Sequence, residues 1–182
     1  MNIKFKKMKG LSLAEVLVAI VITNLIFAAA YLIYNNFQSS FDEQLSMNEL
    51  KEEGRAAIKI IETDARSAGY RSSAIAVQSP VIIQNNSLSF CFDDANVRKR
   101  VDYLLDVANK NLTRRIYNSS NCGFNGGFDG TDIIARSVSF FSAYLNPTGN
   151  ILDIKIGLVS QRGDINETYD ASFFLKNLTY AN

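Results

Sequence analysis

The 182-residue chain contains no histidine and no tryptophan, and only two cysteines and two prolines. Without histidine there is no Ser-His-Asp or Cys-His nucleophile, no imidazole metal ligand and no proton shuttle tuned near neutrality. Cys91 and Cys122, 31 positions apart, cannot complete a thiolate zinc site or a C-x-x-C redox pair. An excess of one charge is missing too. Nineteen Lys and Arg stand against 18 Asp and Glu, which argues against a chain built to coat nucleic acid. At roughly 100–200 residues per domain, the length suits one folded domain with an appendage.

What is present is unevenly placed. The first ten residues, MNIKFKKMKG, hold Lys4, Lys6, Lys7 and Lys9 and no acid; without them the chain carries 15 bases against 18 acids. Such a local asymmetry reads as an addressing segment. Behind it, residues 11–34 form an apolar stretch interrupted only by Ser12, Glu15, Thr23 and Asn24. A bilayer core needs about 20 helical residues, so this stretch is long enough to span. Lysines lie on its N-terminal side. Residues 35–50 on the other side have no Lys or Arg but include Asp42, Glu43 and Glu49. The positive-inside rule then puts the N-terminus in the cytoplasm and the remainder across the membrane.

Glu15 breaks the apolar pattern. A carboxylate inside a spanning helix costs about 2.5–3.5 kcal/mol on insertion scales and is a functional suspect for that reason. One reading lets it snorkel to the headgroups at the cytoplasmic edge. The other gives it a cation as partner, one that processing creates as a new amino terminus. A separate alternative reads Phe27-Ala28-Ala29-Ala30 as the end of an ordinary secretory signal, with cleavage after Ala30 and a soluble domain starting at Tyr31.

The junction KKMKG-LSLAEVLVAI resembles the class III leader of type IV pilins and type II secretion pseudopilins: a short basic leader ending in Gly, then an apolar helix with Glu at its fifth residue. The resemblance implies that residues 1–10 are a leader cut by a prepilin peptidase after Gly10, and that Leu11 becomes the N-methylated mature terminus. It also implies that Glu15 is the assembly glutamate, its carboxylate pairing with the Leu11 ammonium of a neighbouring subunit. Pairing two costly buried charges offsets part of their cost and sets axial register. Leu11 stands where Phe is usual and Ala14 where a larger aliphatic is usual; the Gly and the Glu match.

From residue 35 to residue 69 the pattern stays helical but turns amphipathic. Phe37, Phe41, Leu45, Leu50, Ile58, Ile61, Ala65 and Ala68 recur at spacings near three and four. Gly54 weakens the helix by about 1 kcal/mol relative to Ala, and Gly69 suits a C-terminal cap. One helix over residues 11–68 is the simplest expectation; an anchor and a separate helix, broken near Asn35-Asn36, is the alternative. Beyond Gly69 the period becomes two. Val81 to Ile83, Leu88 to Phe92, Val101 to Leu105, Leu112 to Tyr117, a long run over 133–145, Ile154 to Leu158, and less cleanly Phe173 and Leu175, predict six or seven strands in one antiparallel sheet. The fold class is therefore α+β: a long pilin-like N-terminal helix, its first half transmembrane, packed on a C-terminal β-sheet head over residues 70–182.

EGRAAIKIIETDARSAGY, residues 53–70, resembles the end of the long helix in PilW-type minor pilins and J-type minor pseudopilins, with Arg55, Ile60-Ile61 and the run from Asp64 to Gly69 as the matching positions. VDYLLD and NLTRRIY resemble their paired head strands less specifically. A major pilin closes its C-terminal region with a disulfide, whereas Cys122 lies 60 residues before the end, which favours a minor subunit. In an oxidising periplasm Cys91 and Cys122 can pair, tying a strand to residues 118–130 and closing a loop worth about 3–4 kcal/mol. Two free thiols are the alternative, because the bond needs a Cα separation that sequence does not supply.

Three further patterns read as ordinary surface. Residues 125–132 carry calcium-loop oxygens and glycines but lack EF-hand spacing, and read as a turn-rich loop. Arg98-Lys99-Arg100 and Arg114-Arg115 lack interleaved aromatics and read as a solvated strand face. Asp93-Asp94 read as turn residues. No catalytic residue, metal or cofactor is assigned, and the chain reads as non-enzymatic. The expectation is a minor pilin of a type IV pilus, inserted once in the inner membrane with its head periplasmic. As the resemblance implies, its partners are the prepilin peptidase, other minor and major pilins, the assembly platform and the bilayer. A minor pseudopilin of a type II secretion or competence system is the first alternative; a periplasmic binding module is the second.

Overall fold

The computed structural model describes residues 12–72, 80–95, 97–118, 122, 127–160 and 163–177. The expected junction, Gly10 and Leu11, lies outside the described residues, as do Asn125 and Gly126. The chain divides into two compact units, Met1–Leu45 and Ser46–Asn182.

Helix α1 runs from Leu13 to Ser67. It begins in a reciprocal capping box: the Ser12 amide donates to the Glu15 carboxylate at 2.8 Å, and the Glu15 amide donates to the Ser12 hydroxyl at 3.3 Å. Neither Asn35-Asn36 nor Gly54 interrupts it. Gly69, at φ +76°, ends it in the left-handed conformation expected of a cap. The Gly69 amide then donates to the Cys91 carbonyl and the Asp93 amide to the Tyr70 carbonyl, so the chain leaves the helix alongside the sheet.

Within the second unit, β1 (Val81–Gln84), β2 (Ser87–Asp94), β3 (Val97–Asp106), β4 (Asn111–Asn118) and β5 (Gly127–Ala135) form an antiparallel meander in sequence order. A second meander joins β6 (Val138–Leu145), β7 (Ile151–Val159) and β8 (Asn166–Phe174). The head face of α1 buries Leu50, Ala57, Ile61 and Ala65, with Ala68 just past its end, in one core with Leu88, Phe90 and Tyr103 of the first sheet and Phe141, Ile154 and Ile156 of the second. The fold is α+β, as its order of periodicities predicts.

Two details differ from the expectation of one sheet. The apolar run over 133–145 is two strands in two sheets, separated at Ser137, which sits at φ +54°. The polar pair Arg136-Ser137 marks the point, but so short an interruption inside an apolar, β-rich run does not by itself separate two strands. The segment expected as a loop is partly strand: β5 starts at Gly127 and carries Asp129 and Asp132. It is an edge strand, and its pairing with β4 shifts register twice. A bulged edge tolerates glycine, and that combination hides a strand from a propensity reading.

Candidate functional site

The first unit presents a helix with almost nothing to cover it. Every residue from Ser12 to Phe41 is exposed, including Leu13 at 80%, Phe27 at 68% and Phe37 at 70%. Burying one such side chain is worth about 1.5–3 kcal/mol, so a run of this length cannot be left to water. By length and composition α1 can cross a membrane.

Glu15 sits in the first turn of this helix, among exposed apolar side chains. Its carboxylate faces the backbone donors at the positive end of the helix dipole, a favourable place for an anion. The capping box thus brings Ser12 and Glu15 together.

In the head, Cys91 on β2 and Cys122 are joined in a disulfide with their Cα atoms 5.8 Å apart. Beneath Cys122 lies a buried arginine. Arg100 donates through Nε to Asp102 at 2.6 Å, through Nη1 to the Cys122 carbonyl at 3.1 Å and through Nη2 to the Ser89 hydroxyl at 3.2 Å.

Of the strand arginines expected on a solvated face, Arg115 is exposed, whereas Arg98, Arg100 and Arg114 are paired and largely buried. Arg98 pairs with Asp93 at 2.8 Å, both largely buried, and Asp93 also accepts the Ser72 amide and hydroxyl. The Arg98 hydrogen bond holds the Asp93 carboxyl below the usual carboxylate range, against the opposing effect of burial. So Asp93 is a buried ion-pair partner rather than a turn residue. Arg114 on β4 reaches Asp64 on α1 through two hydrogen bonds, and Tyr103 donates its hydroxyl to the same carboxylate. Burial, followed by the Asp64 charge, pushes the Tyr103 hydroxyl far above its ordinary value, and Asp64 raises Arg114. Residue-by-residue charge reading misses these pairs because each partner comes from a different strand or from the helix. One signal was available: Asp64 falls on the same helix face as Ala57, Ile61 and Ala68, and an acid in an apolar stripe needs a buried cation.

Asp64, Ser67, Tyr70, Lys99 and Arg114 help line a cavity of about 410 Å³. Its charges are matched internally, Arg114 with Asp64 and Lys99 with Asp94, which suits a brace better than a reactive centre. Among the described residues, no three of Cys, Asp and Glu converge to hold a metal ion. No protein-family model matches the chain, and no curated protein matches it significantly.

Proposed function

We propose that this chain is a non-enzymatic filament subunit, a PilW-like minor pilin that takes part in initiating assembly of a type IV pilus. The observation that carries the reading is a helix that is almost wholly apolar to Tyr34 and exposed from Ser12 to Phe41, with one carboxylate, Glu15, in its first turn. Lipid covers such a helix before assembly, and equivalent helices of neighbouring subunits cover it afterwards. The basic leader sets the N-terminus in the cytoplasm and the head in the periplasm. Cleavage after Gly10 by the prepilin peptidase places a new, methylated ammonium at Leu11. The Glu15 carboxylate of an incoming subunit then exchanges its local Ser12 partner for the ammonium of a neighbour. Head-to-tail contact of this kind extends rather than closes, which is what a filament needs.

Glu15→Ala in the native host tests this reading. The variant is cleaved normally but is absent from sheared filaments. Incorporation equal to that of the unaltered chain would sink the proposal and leave the helix as a simple tether for a periplasmic binding module.

A further inference from the structure

Strand β8 is the outer strand of the second sheet. At one end of its ladder with β7 the Ser160 amide donates to the Ile165 carbonyl, and at the other the Leu175 amide donates to the Asn150 carbonyl, both at 2.8 Å. Between these ends the pairing runs from Val159 opposite Asn166 to Ile151 opposite Phe174 without a register shift. The odd-numbered residues of β8 therefore bond to β7, and Asn166, Thr168, Asp170, Ser172 and Phe174 turn their N–H and C=O groups to the open edge. Among the described residues nothing bonds to those groups. The edge also lacks the usual guards: it is nine residues long and holds no proline, lysine or bulge.

A groove of about 500 Å³ lies between α1 and the C-terminal part of β8, walled by Ile58, Ala171, Phe173 and Phe174 together with Glu62 and Arg66. A strand added to β8 presents every second side chain to this groove, so apolar residues two apart suit it. Charge narrows the occupant further. Glu62, the one carboxylate on the groove wall, serves two cations, Lys59 at 2.9 Å and Arg66 at 2.6 Å, whose side chains are 74% and 72% exposed. The helix side of the groove is left with an excess of positive charge, which an acidic side chain on the incoming strand would match. A second copy of the chain fits poorly. The Tyr169 ring lies against the helix backbone at Gly54, so α1 runs close under β8. Two β8 strands joined edge to edge, about 4.8 Å apart, would bring two such helices nearer than the roughly 8–10 Å between axes that packed helices need.

We propose that the free edge of β8 takes an extended segment of a different protein as an added strand, with apolar side chains at alternate positions and an acid near the end that meets Arg66. The proposal rests on the head alone and stands or falls apart from the filament-subunit reading.

The probe is a library of random peptides, each as long as β8, displayed on phage and selected against the full-length chain in detergent. The expected sequences alternate apolar and polar residues and carry Asp or Glu toward one end. A synthetic copy of one slows amide hydrogen exchange at Thr168, Asp170, Ser172 and Phe174 about tenfold or more, and leaves the β7-bonded amides of Tyr169, Ala171 and Phe173 unchanged. Thr168→Pro removes an outward N–H without touching the ladder to β7. It is expected to weaken peptide binding about tenfold while the melting temperature holds. Arg66→Gln, an exposed change, lowers the preference for an acidic over a neutral peptide about two- to fivefold. Should Thr168→Pro fail to fold, the exchange pattern of the unaltered chain and the Arg66→Gln comparison still decide. Four results would each overturn the proposal: no enriched sequence, no slowing at the outward amides, a preference for basic peptides, or self-association of the chain that Thr168→Pro abolishes.

Discussion

Arg114 on β4 grips Asp64 on α1 across 50 positions of sequence, Nε to Oδ2 at 2.7 Å and Nη2 to Oδ1 at 3.0 Å. The pair ties the head end of the helix to the sheet at a point where the surrounding interface is apolar. Removing one member strands the other, and breaking a buried pair costs about 3–5 kcal/mol. Because Arg114 keeps some exposure, Asp64→Ala is expected to lose about 3 kcal/mol, read by denaturant unfolding of the full chain in detergent. Asp64→Leu with Arg114→Met should recover part of that loss. A single variant as stable as the original would show that the clamp contributes nothing.

Gly54 gives a prediction of opposite sign from helix propensity. Taken alone, Gly54→Ala should stabilise an exposed helix by about 1 kcal/mol. In the fold, a methyl group there would overlap the Tyr169 ring, which lies directly against the helix backbone. Overpacking of this kind costs about 1–3 kcal/mol, so Gly54→Ala should lower the melting temperature. Tyr169→Ala combined with Gly54→Ala should show a smaller penalty than the sum of the two single changes. A stabilised single variant would contradict the packing described.

The disulfide is expected to contribute about 3–4 kcal/mol by chain entropy. Cys91→Ser with Cys122→Ser should lose that much while keeping the main-chain carbonyl at 122 that accepts from Arg100. Comparing reduced, oxidised and doubly substituted chains by denaturant unfolding checks it. An oxidised chain no more stable than the substituted one would contradict the expectation.

Asp93 makes stability depend on acid. Its folded value lies below the ordinary carboxylate value because Arg98 holds the charged form. The contribution is therefore full above about pH 4 and is lost as pH falls through the folded value. Thermal melts between about pH 2 and pH 6 should show this loss, and Asp93→Asn, less stable at neutral pH, should show a shallower one. Identical slopes for the two chains would refute the assignment.

The parts of the fold that local pattern dictates were legible in the sequence. The 55-residue helix follows from unbroken apolar and then amphipathic spacing, and its end from Gly69. The turn at Asn85-Asn86 follows from turn chemistry, with Asn86 in the left-handed region at φ 60°. What escaped depends on partners distant in sequence. The split at Ser137 is set by tertiary hydrogen bonding, with Val138 donating its amide to the Lys110 carbonyl. The burial of Arg114 depends on Asp64 of the helix, 50 positions away, and that of Arg100 on the Cys122 carbonyl and the Ser89 hydroxyl, whereas Asp93 and Asp102 lie only five and two positions from Arg98 and Arg100. For the candidate site, Glu15 was conspicuous because an acid in an apolar run is costly, while its bond to the Ser12 amide emerged from the helix start itself.

The central claim is that residues 11–34 are an assembly helix, not a signal or a plain anchor. The most direct measurement is the mature N-terminus of the protein from its own cell envelope, by intact mass and terminal-peptide mass spectrometry. The account predicts a chain starting at Leu11 and carrying one added methyl group. A start at Tyr31 would contradict it, since Glu15 would then be discarded with the leader; a start at Met1 throughout the envelope would contradict it equally.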